Sequence, residues 1–115
     1  MGCFYCDEHH EGREAIMFKV GEMKAGTLYL FKDQAHKGRC VLALKSHHRE
    51  LWECEPQERA DFAEDLARAS KAIQDLWGCT KLNLASFGDT NPQPVHLTEE
   101  EYRDMIGALK EKLDI

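Results

Sequence analysis

The amino-acid sequence predicts an α+β fold in which two main helices pack on one side of a mostly antiparallel sheet with four visible strands. Three observations predict this fold. Three short apolar runs come first, a long run with helical periodicity follows, and an alternating run then precedes a second amphipathic helix. A chain of 115 residues is enough for one domain with a single core. We therefore predict one domain over residues 1–115.

The strands are predicted from short apolar runs between turn residues. Ala15–Val20 and Thr27–Phe31 are separated by "GEMKAG", whose two glycines suit the turn of a hairpin. After a polar loop, Arg39–Lys45 is a third buried-strand candidate. Lys81–Phe87 alternates apolar and polar residues and is the fourth.

The helices are predicted from their ends and their apolar stripes. Pro56 suits a first helical position and Gly78 a terminus, so the first helix should cover Pro56–Trp77. Its apolar stripe consists of Phe62, Leu66, Ala69, Ile73 and Leu76. The second helix should open at Thr98, which forms a capping-box pattern with Glu101. Its stripe consists of Tyr102, Met105, Ile106, Leu109 and Leu113.

Composition excludes several classes of protein. The net charge of -6 argues against a binder of duplex nucleic acid, which needs Lys and Arg to neutralise phosphates. No apolar run approaches the roughly 20 residues that span a bilayer, so we expect no membrane partner and a cytoplasmic location. The sequence has no phosphate-binding loop, no glycine-rich dinucleotide motif and no hydrolase elbow.

The N-terminal "CFYC" places Cys3 and Cys6 at the spacing with which one turn supplies two thiolates to a tetrahedral zinc. A structural zinc site needs two further ligands, and the candidates are His9, His10, His47, His48, Cys40, Cys54 and Cys79. The two histidines after the third strand are held by a rigid strand end, whereas the earlier pair lies in a polar loop. The alternative is that these cysteines are ordinary thiols. Redox use is disfavoured because the motif precedes the first strand.

In order along the chain, "CFYC", "LYLFKDQAHKGRCVLALKSHH", "KLNLASFGDT" and "LTEEEYRDMI" resemble the zinc-containing subgroup of the histidine triad (HIT) family over nearly the full length. The resemblance implies a five-stranded antiparallel sheet and a homodimer. It also implies cleavage of bonds to the α-phosphate of a purine nucleotide or nucleotide conjugate.

The sequence departs from the family at its defining motif. In the family, the turn matching Gly88, Asp89 and Thr90 leads into a central strand with three alternating histidines, whose middle imidazole is the nucleophile. Here Thr90 is followed directly by Asn91, so that strand is absent, and His96 does not replace it. Either the protein possesses a segment that this sequence lacks, or the strand is deleted. We favour the former, because removing a central strand leaves unpaired backbone groups and a hole in the core.

The resemblance also implies binding residues. Cys3, Cys6 and His47 match three ligands of a structural Zn²⁺. The fourth ligand of the family, a histidine, would lie in the absent segment, so His9, His10 or a water would have to complete the shell.

For the nucleotide, the resemblance implies an acidic or amide side chain near the end of the second strand. Counting back from Gly38 reaches Phe31, and the acidic Asp33 lies two residues further on. Asn83 matches a family asparagine on the fourth strand, and Gly88 and Asp89 match the turn beside the phosphates. The alternative for Asn83 is a polar residue in a strand whose hydrogen bonds are satisfied within the protein. The alternative for Gly88 and Asp89 is an ordinary turn, which favours these residue types.

Three functions follow as hypotheses. The first is a nucleotide hydrolase or transferase of the HIT type, whose nucleophile is missing from the sequence as written. The second is a catalytically inactive, zinc-stabilised module that binds nucleotides or another protein. The third lies outside the family and is a small zinc-binding interaction domain that uses Cys3, Cys6 and a histidine doublet.

Overall fold

The structure is a computed structural model that describes residues 3–79, 82–85 and 96–115. Its helices and strands are α1 (Glu11–Ile16), β1 (Met17–Glu22), β2 (Gly26–Phe31), β3 (Cys40–Leu44), α2 (Pro56–Trp77) and α3 (Glu99–Leu113), with a 3-10 turn at Leu51–Glu53. The strands form one antiparallel sheet in the order β1-β2-β3. The predicted α+β class is therefore confirmed.

The N-terminal part of the sheet differs from the prediction at its first strand. Ala15 and Ile16 belong to α1 and not to β1, because His10 caps a short helix by accepting a hydrogen bond from the backbone N–H of Arg13. The strand begins at Met17 and pairs with β2 in a hairpin, with an irregularity between Lys19 and Gly21. Strand β2 is central, since β3 pairs along its other edge.

The predicted fourth strand is wrong in the part of it that the structure describes. Residues 82–85 have no regular secondary structure, and Leu84 is 62% exposed. Alternation of apolar and polar residues indicates a face, but a strand exists only where a neighbour accepts and donates its backbone hydrogen bonds. The described part of the chain provides no such neighbour for residues 82–85, so the described sheet has three strands.

Helix α2 has the predicted ends. Pro56 occupies its first turn, and Gly78 ends it in a left-handed conformation with φ of 65°, donating its N–H to the carbonyl of Gln74 at 2.8 Å. Its buried face is narrower and more polar than the predicted stripe, because its fully buried residues are Asp65, Ala69 and Ala72. The larger apolar residues of the stripe are half-buried along the sides of this face.

Helix α3 agrees with its prediction in both cap and stripe. The Thr98 hydroxyl accepts from the N–H of Glu101 at 3.1 Å, and the Glu101 carboxylate accepts from the N–H of Thr98 at 2.9 Å. The residues of the predicted stripe that are fully buried are Tyr102, Met105, Leu109 and Leu113. None of the described helices is long and apolar enough to cross a membrane.

The two faces of the sheet are covered by different parts of the chain. On one face, Leu28 and Leu30 pack with α2 and α3 in the main core. On the other, Tyr29 packs with Met17 and Ala43 in a smaller cluster that Phe4 of the N-terminal segment joins. The segment that carries the two N-terminal cysteines is therefore part of the second hydrophobic cluster.

Candidate metal centre

The structure brings together the three residues that the sequence predicts as metal ligands. The thiol sulfurs of Cys3 and Cys6 and a ring nitrogen of His47 all lie within 4.8 Å of one another. The Cys6 Sγ to His47 Nδ1 distance is 3.2 Å, although the two residues are 41 positions apart in the chain. In a tetrahedral zinc site, sulfur and nitrogen ligands are about 3.6 Å apart, as follows from bond lengths of about 2.3 and 2.1 Å. The cluster is close to this geometry.

The turn that holds the cysteines is organised by Arg13, a buried residue on α1. Its guanidinium donates to the backbone carbonyls of Phe4, Asp7 and Glu8 at 2.9, 2.5 and 2.5 Å. The same group lies over the ring of Tyr29 on the central strand, 5.4 Å from its centroid. Arg13 therefore fixes the cysteine turn to the sheet.

The two thiols are electrostatically different. The backbone N–H groups of Cys6 and Tyr5, together with the Cys6 thiol, lower the pKa of Cys3 to about 7. The hydrogen bond to Cys3, together with burial, raises the pKa of Cys6. Backbone donors that stabilise a thiolate favour metal binding, because the thiolate is the form that coordinates a metal.

Neither histidine of the N-terminal loop completes the cluster. His10 uses Nδ1 to cap α1, and its ring packs against Phe4 with centroids 5.0 Å apart. His9 faces Glu14, with 3.6 Å between Nδ1 and Oε1. Within residues 3–79, 82–85 and 96–115, no fourth His, Cys, Asp or Glu joins the three ligands. The sequence offers His9, His10 or a water molecule as the fourth ligand, and we therefore expect the water.

The donor set fits zinc. Two thiolates and one imidazole are ligands that zinc prefers, and they converge from a turn and from the segment after β3. The three side chains would hold the ion and link the N-terminal turn to the end of the sheet.

Of the four predicted nucleotide-binding residues, Asp33 has the best-defined surroundings. Its side chain is only 4% exposed, and its carboxylate is paired with the Arg39 guanidinium at 3.0 Å. The other carboxylate oxygen accepts from the backbone N–H of Ala35 at 3.1 Å. These contacts stabilise the loop between β2 and β3. A ribose hydroxyl would compete with them.

The remaining nucleotide-binding candidates lie on or beyond the segment after α2. Asn83 is exposed in the irregular stretch of residues 82–85, and not on a strand as predicted. Gly88 and Asp89 lie outside the described residues. The predicted deletion between Thr90 and Asn91 lies outside them too.

Three solved structures to which this chain is similar are histidine triad proteins. One from Bradyrhizobium japonicum has a TM-score of 0.78 and 18% identity, covering 90% of this chain and 96% of that one. One from Marinobacter aquaeolei has a TM-score of 0.78 and 21% identity, covering 93% and 96%. The chain has the histidine triad fold.

A third protein with the histidine triad fold, from Sinorhizobium meliloti, has a TM-score of 0.79 and 16% identity over 97% of this chain and all of that one. Neither a protein-family model nor a curated protein matches the sequence. The resemblance to the histidine triad family is therefore confirmed in the three-dimensional fold, and the zinc-containing subgroup stays a prediction.

Arg13 is the residue of the metal centre that sequence reasoning missed. It lies on a short helix that the sequence did not predict, since only its last two residues, Ala15 and Ile16, fall in the predicted first strand. Its position one helical turn after His10, near a cysteine turn, is the available sequence signal. Its three carbonyl partners are evident only in three dimensions.

Proposed function

We propose that the chain is a zinc-stabilised member of the histidine triad family that binds a purine nucleotide or nucleotide conjugate and, as its sequence stands, does not cleave it. The observation that carries the proposal is the histidine triad fold, with TM-scores of 0.78 to 0.79 to solved proteins of that description. The cluster of Cys3, Cys6 and His47 supports the part of the proposal that concerns zinc.

Catalysis of the type that the family resemblance implies needs a specific histidine. A middle imidazole would attack the α-phosphorus, displace the amine or second nucleotide, and form a nucleotidyl-histidine. Water would then attack the same phosphorus and release the nucleoside monophosphate. The six histidines of this sequence are at positions 9, 10, 36, 47, 48 and 96, and no two of them are separated by one residue. The alternating arrangement required for this step is missing.

In this proposal, zinc has a structural role. With Cys3, Cys6 and His47 as ligands, the ion would tie the N-terminal turn to the segment after β3 and keep Phe4 on the second hydrophobic cluster. We also propose a homodimer, as the family resemblance implies, and a cytoplasmic location, as expected from the sequence.

The second candidate function is the hydrolase or transferase itself. It applies if the protein contains a segment between Thr90 and Asn91 that the printed sequence lacks. The intact mass of the denatured protein separates the two. A mass equal to that of the printed sequence supports the inactive binder, and a mass larger by a strand and a loop supports the enzyme.

Nucleotide binding is tested by the unfolding temperature of zinc-loaded protein with adenosine monophosphate up to millimolar concentration. Binding at 100 times Kd would stabilise the protein by about 2.7 kcal/mol, a readily measured shift. We expect that shift together with no release of adenosine monophosphate from an adenosine phosphoramidate. Asn83→Ala should reduce the shift, and Gln74→Ala, at an exposed position on α2, should leave it unchanged.

Two results would contradict the proposal. An unchanged unfolding temperature at millimolar nucleotide would exclude the binding role. Turnover of the phosphoramidate by a protein whose mass matches the printed sequence would exclude the inactive role, because it would require a nucleophile outside the triad motif.

A further inference from the structure

A second cluster of metal-ligand side chains lies at the start of α2, apart from the three ligands above. Its members are His48, Cys54 and Glu58, whose ligand atoms lie within 4.8 Å of one another. Nε2 of His48 is 3.6 Å from Oε1 of Glu58. The three residues come from the segment after β3, the end of the 3-10 turn and the first turn of α2. Local sequence spacing does not indicate this grouping.

The cluster is held in place by hydrogen bonds around it. The Ser46 hydroxyl donates to Oε2 of Glu58, which leaves Oε1 facing His48. Arg59 donates to the backbone carbonyl of Cys54 at 2.7 Å, which fixes the residue that carries the thiol. Outer contacts of this kind orient ligands in metal sites.

Hydrogen bonds also hold the short 3-10 turn between His48 and Cys54. The carboxylate of Glu53 accepts from the backbone N–H of Arg49 at 2.7 Å and from that of Glu50 at 3.1 Å. These bonds hold the segment that joins two of the three candidate ligands.

The donor atoms and their spacing match a transition-metal site. Imidazole nitrogen, thiolate sulfur and carboxylate oxygen are the three ligand types of zinc, and nitrogen and oxygen ligands of a tetrahedral zinc are about 3.4 Å apart. We propose that His48, Cys54 and Glu58 form a second site for a divalent cation of the zinc class, with an open fourth position for solvent.

Access to the site comes from one side. Cys54 is 3% exposed, whereas the side chains of His48 and Glu58 are 31% and 25% exposed. Glu58 and Ser46 also line an open surface groove. An ion would therefore rest on the buried thiol and present its fourth position to the groove.

The adjacent histidines are divided between the two clusters. His47 joins Cys3 and Cys6, and His48 joins Cys54 and Glu58. The second site shares no ligand with the first, so it persists if the N-terminal cysteines are removed.

Metal titration of the full chain tests the proposal. The protein is stripped of metal under reducing conditions, Cys3→Ser and Cys6→Ser are introduced together, and Co²⁺ is added as a spectroscopic probe. We expect one equivalent to bind, with a near-ultraviolet thiolate-to-cobalt band, and one equivalent of Zn²⁺ to displace it. Adding Cys54→Ser should abolish the band, and adding Glu58→Gln should weaken Co²⁺ binding at least tenfold.

Glu64→Gln is the matched control, since Glu64 is exposed on α2 and does not belong to the cluster. It should leave Co²⁺ binding unchanged. Because Cys54 is buried and its replacement could unfold the chain, circular dichroism accompanies each variant, and Glu58→Gln provides an independent test at a less buried position. No Co²⁺ binding by the folded double variant at micromolar concentration would overturn the proposal. So would a band that survives both Cys54→Ser and Glu58→Gln.

Discussion

Asp65 is a buried carboxylate that joins α2 to the turn between β1 and β2. It is 1% exposed and accepts from the backbone N–H groups of Lys24, Ala25 and Gly26 at 3.0, 2.6 and 2.9 Å. The three backbone N–H groups stabilise the carboxylate by hydrogen bonding. In return, the carboxylate is the acceptor that these N–H groups of the turn would otherwise lack. One side chain thereby sets the distance between the helix and the hairpin.

Asp65→Ala should lower the free energy of unfolding by about 3 kcal/mol, because it leaves buried backbone donors without an acceptor. The urea midpoint measures the change. Asp61→Ala is the control, since the Asp61 carboxylate forms a surface ion pair with Lys24 at 3.3 Å. It should cost less than about 1 kcal/mol. Equal losses for the two variants would contradict the role assigned to Asp65.

The cysteines should differ in reactivity when the protein is free of metal. Hydrogen bonds lower the pKa of Cys3 to about 7, and burial raises the pKa of Cys40 to about 12. The thiolate is the nucleophile, so at pH 7.5 Cys3 is largely reactive and Cys40 is protonated. We expect iodoacetamide to modify Cys3 at least about 100 times faster than Cys40, as peptide mass spectrometry would measure.

The effects of pH and of zinc on the rate of Cys3 modification also follow from the reactivity of the thiolate. Lowering the pH from 7.5 to 5.5 crosses the pKa of Cys3, so its modification should slow strongly. Zinc should slow it at pH 7.5 by occupying the thiolate. Modification of Cys40 at the rate of Cys3 in folded protein would show that burial does not protect it.

At the scale of elements, α3 depends on its N-terminal cap. The Thr98 hydroxyl and the Glu101 carboxylate satisfy two backbone donors that a helix start leaves without partners. Acidic residues occupy the first turn, and Lys110 and Lys112 the last, in agreement with the helix dipole. The cap positions Tyr102, whose hydroxyl accepts from Leu97 N–H at 3.0 Å and donates to the Lys32 carbonyl at 2.5 Å.

Thr98→Ala should lower the free energy of unfolding by about 1 kcal/mol through loss of the cap. Thr98→Ser keeps the hydroxyl and should retain most of the stability. Thermal and urea unfolding of the two variants measures the difference. If serine and alanine were equally destabilising, the effect would belong to the threonine methyl group and not to the cap.

At the scale of the whole molecule, the metal cluster would close a loop of 41 residues between Cys6 and His47. Linking distant residues lowers the entropy of the unfolded chain, and a metal that binds only the folded state stabilises it by mass action. Zinc at about 1,000 times its Kd would contribute about 4 kcal/mol.

Removing zinc with a chelator should therefore lower the unfolding temperature by about 10 °C or more, as calorimetry would measure. Cys3→Ser should abolish most of the zinc response. Cys79→Ser is the control, because Cys79 belongs to neither metal cluster. A chelator without effect on protein of known zinc content would show that zinc does not stabilise the fold.

The sequence by itself determined both ends of α2, the start of α3, the approximate positions of the first three strands and the location of Cys3 and Cys6 in one turn. Their signals are local: Pro56 and Gly78 delimit one helix, Thr98 caps the other, and two cysteines three positions apart share a turn. These features depend on hydrogen bonds between residues that are close in the sequence. A short stretch of sequence is therefore enough to predict each of them.

Only the tertiary structure decided why Asp65 is buried beside the apolar stripe of α2 and what Arg13 holds, and it placed His47, which the family resemblance had selected, next to the N-terminal cysteines. It also decided that residues 82–85 form no strand, because a strand requires a neighbour and apolar alternation is not sufficient. The physical reason is distance along the chain. Asp65 meets its donors about 40 residues away and Cys6 meets His47 after 41, and such contacts depend on how the whole chain packs.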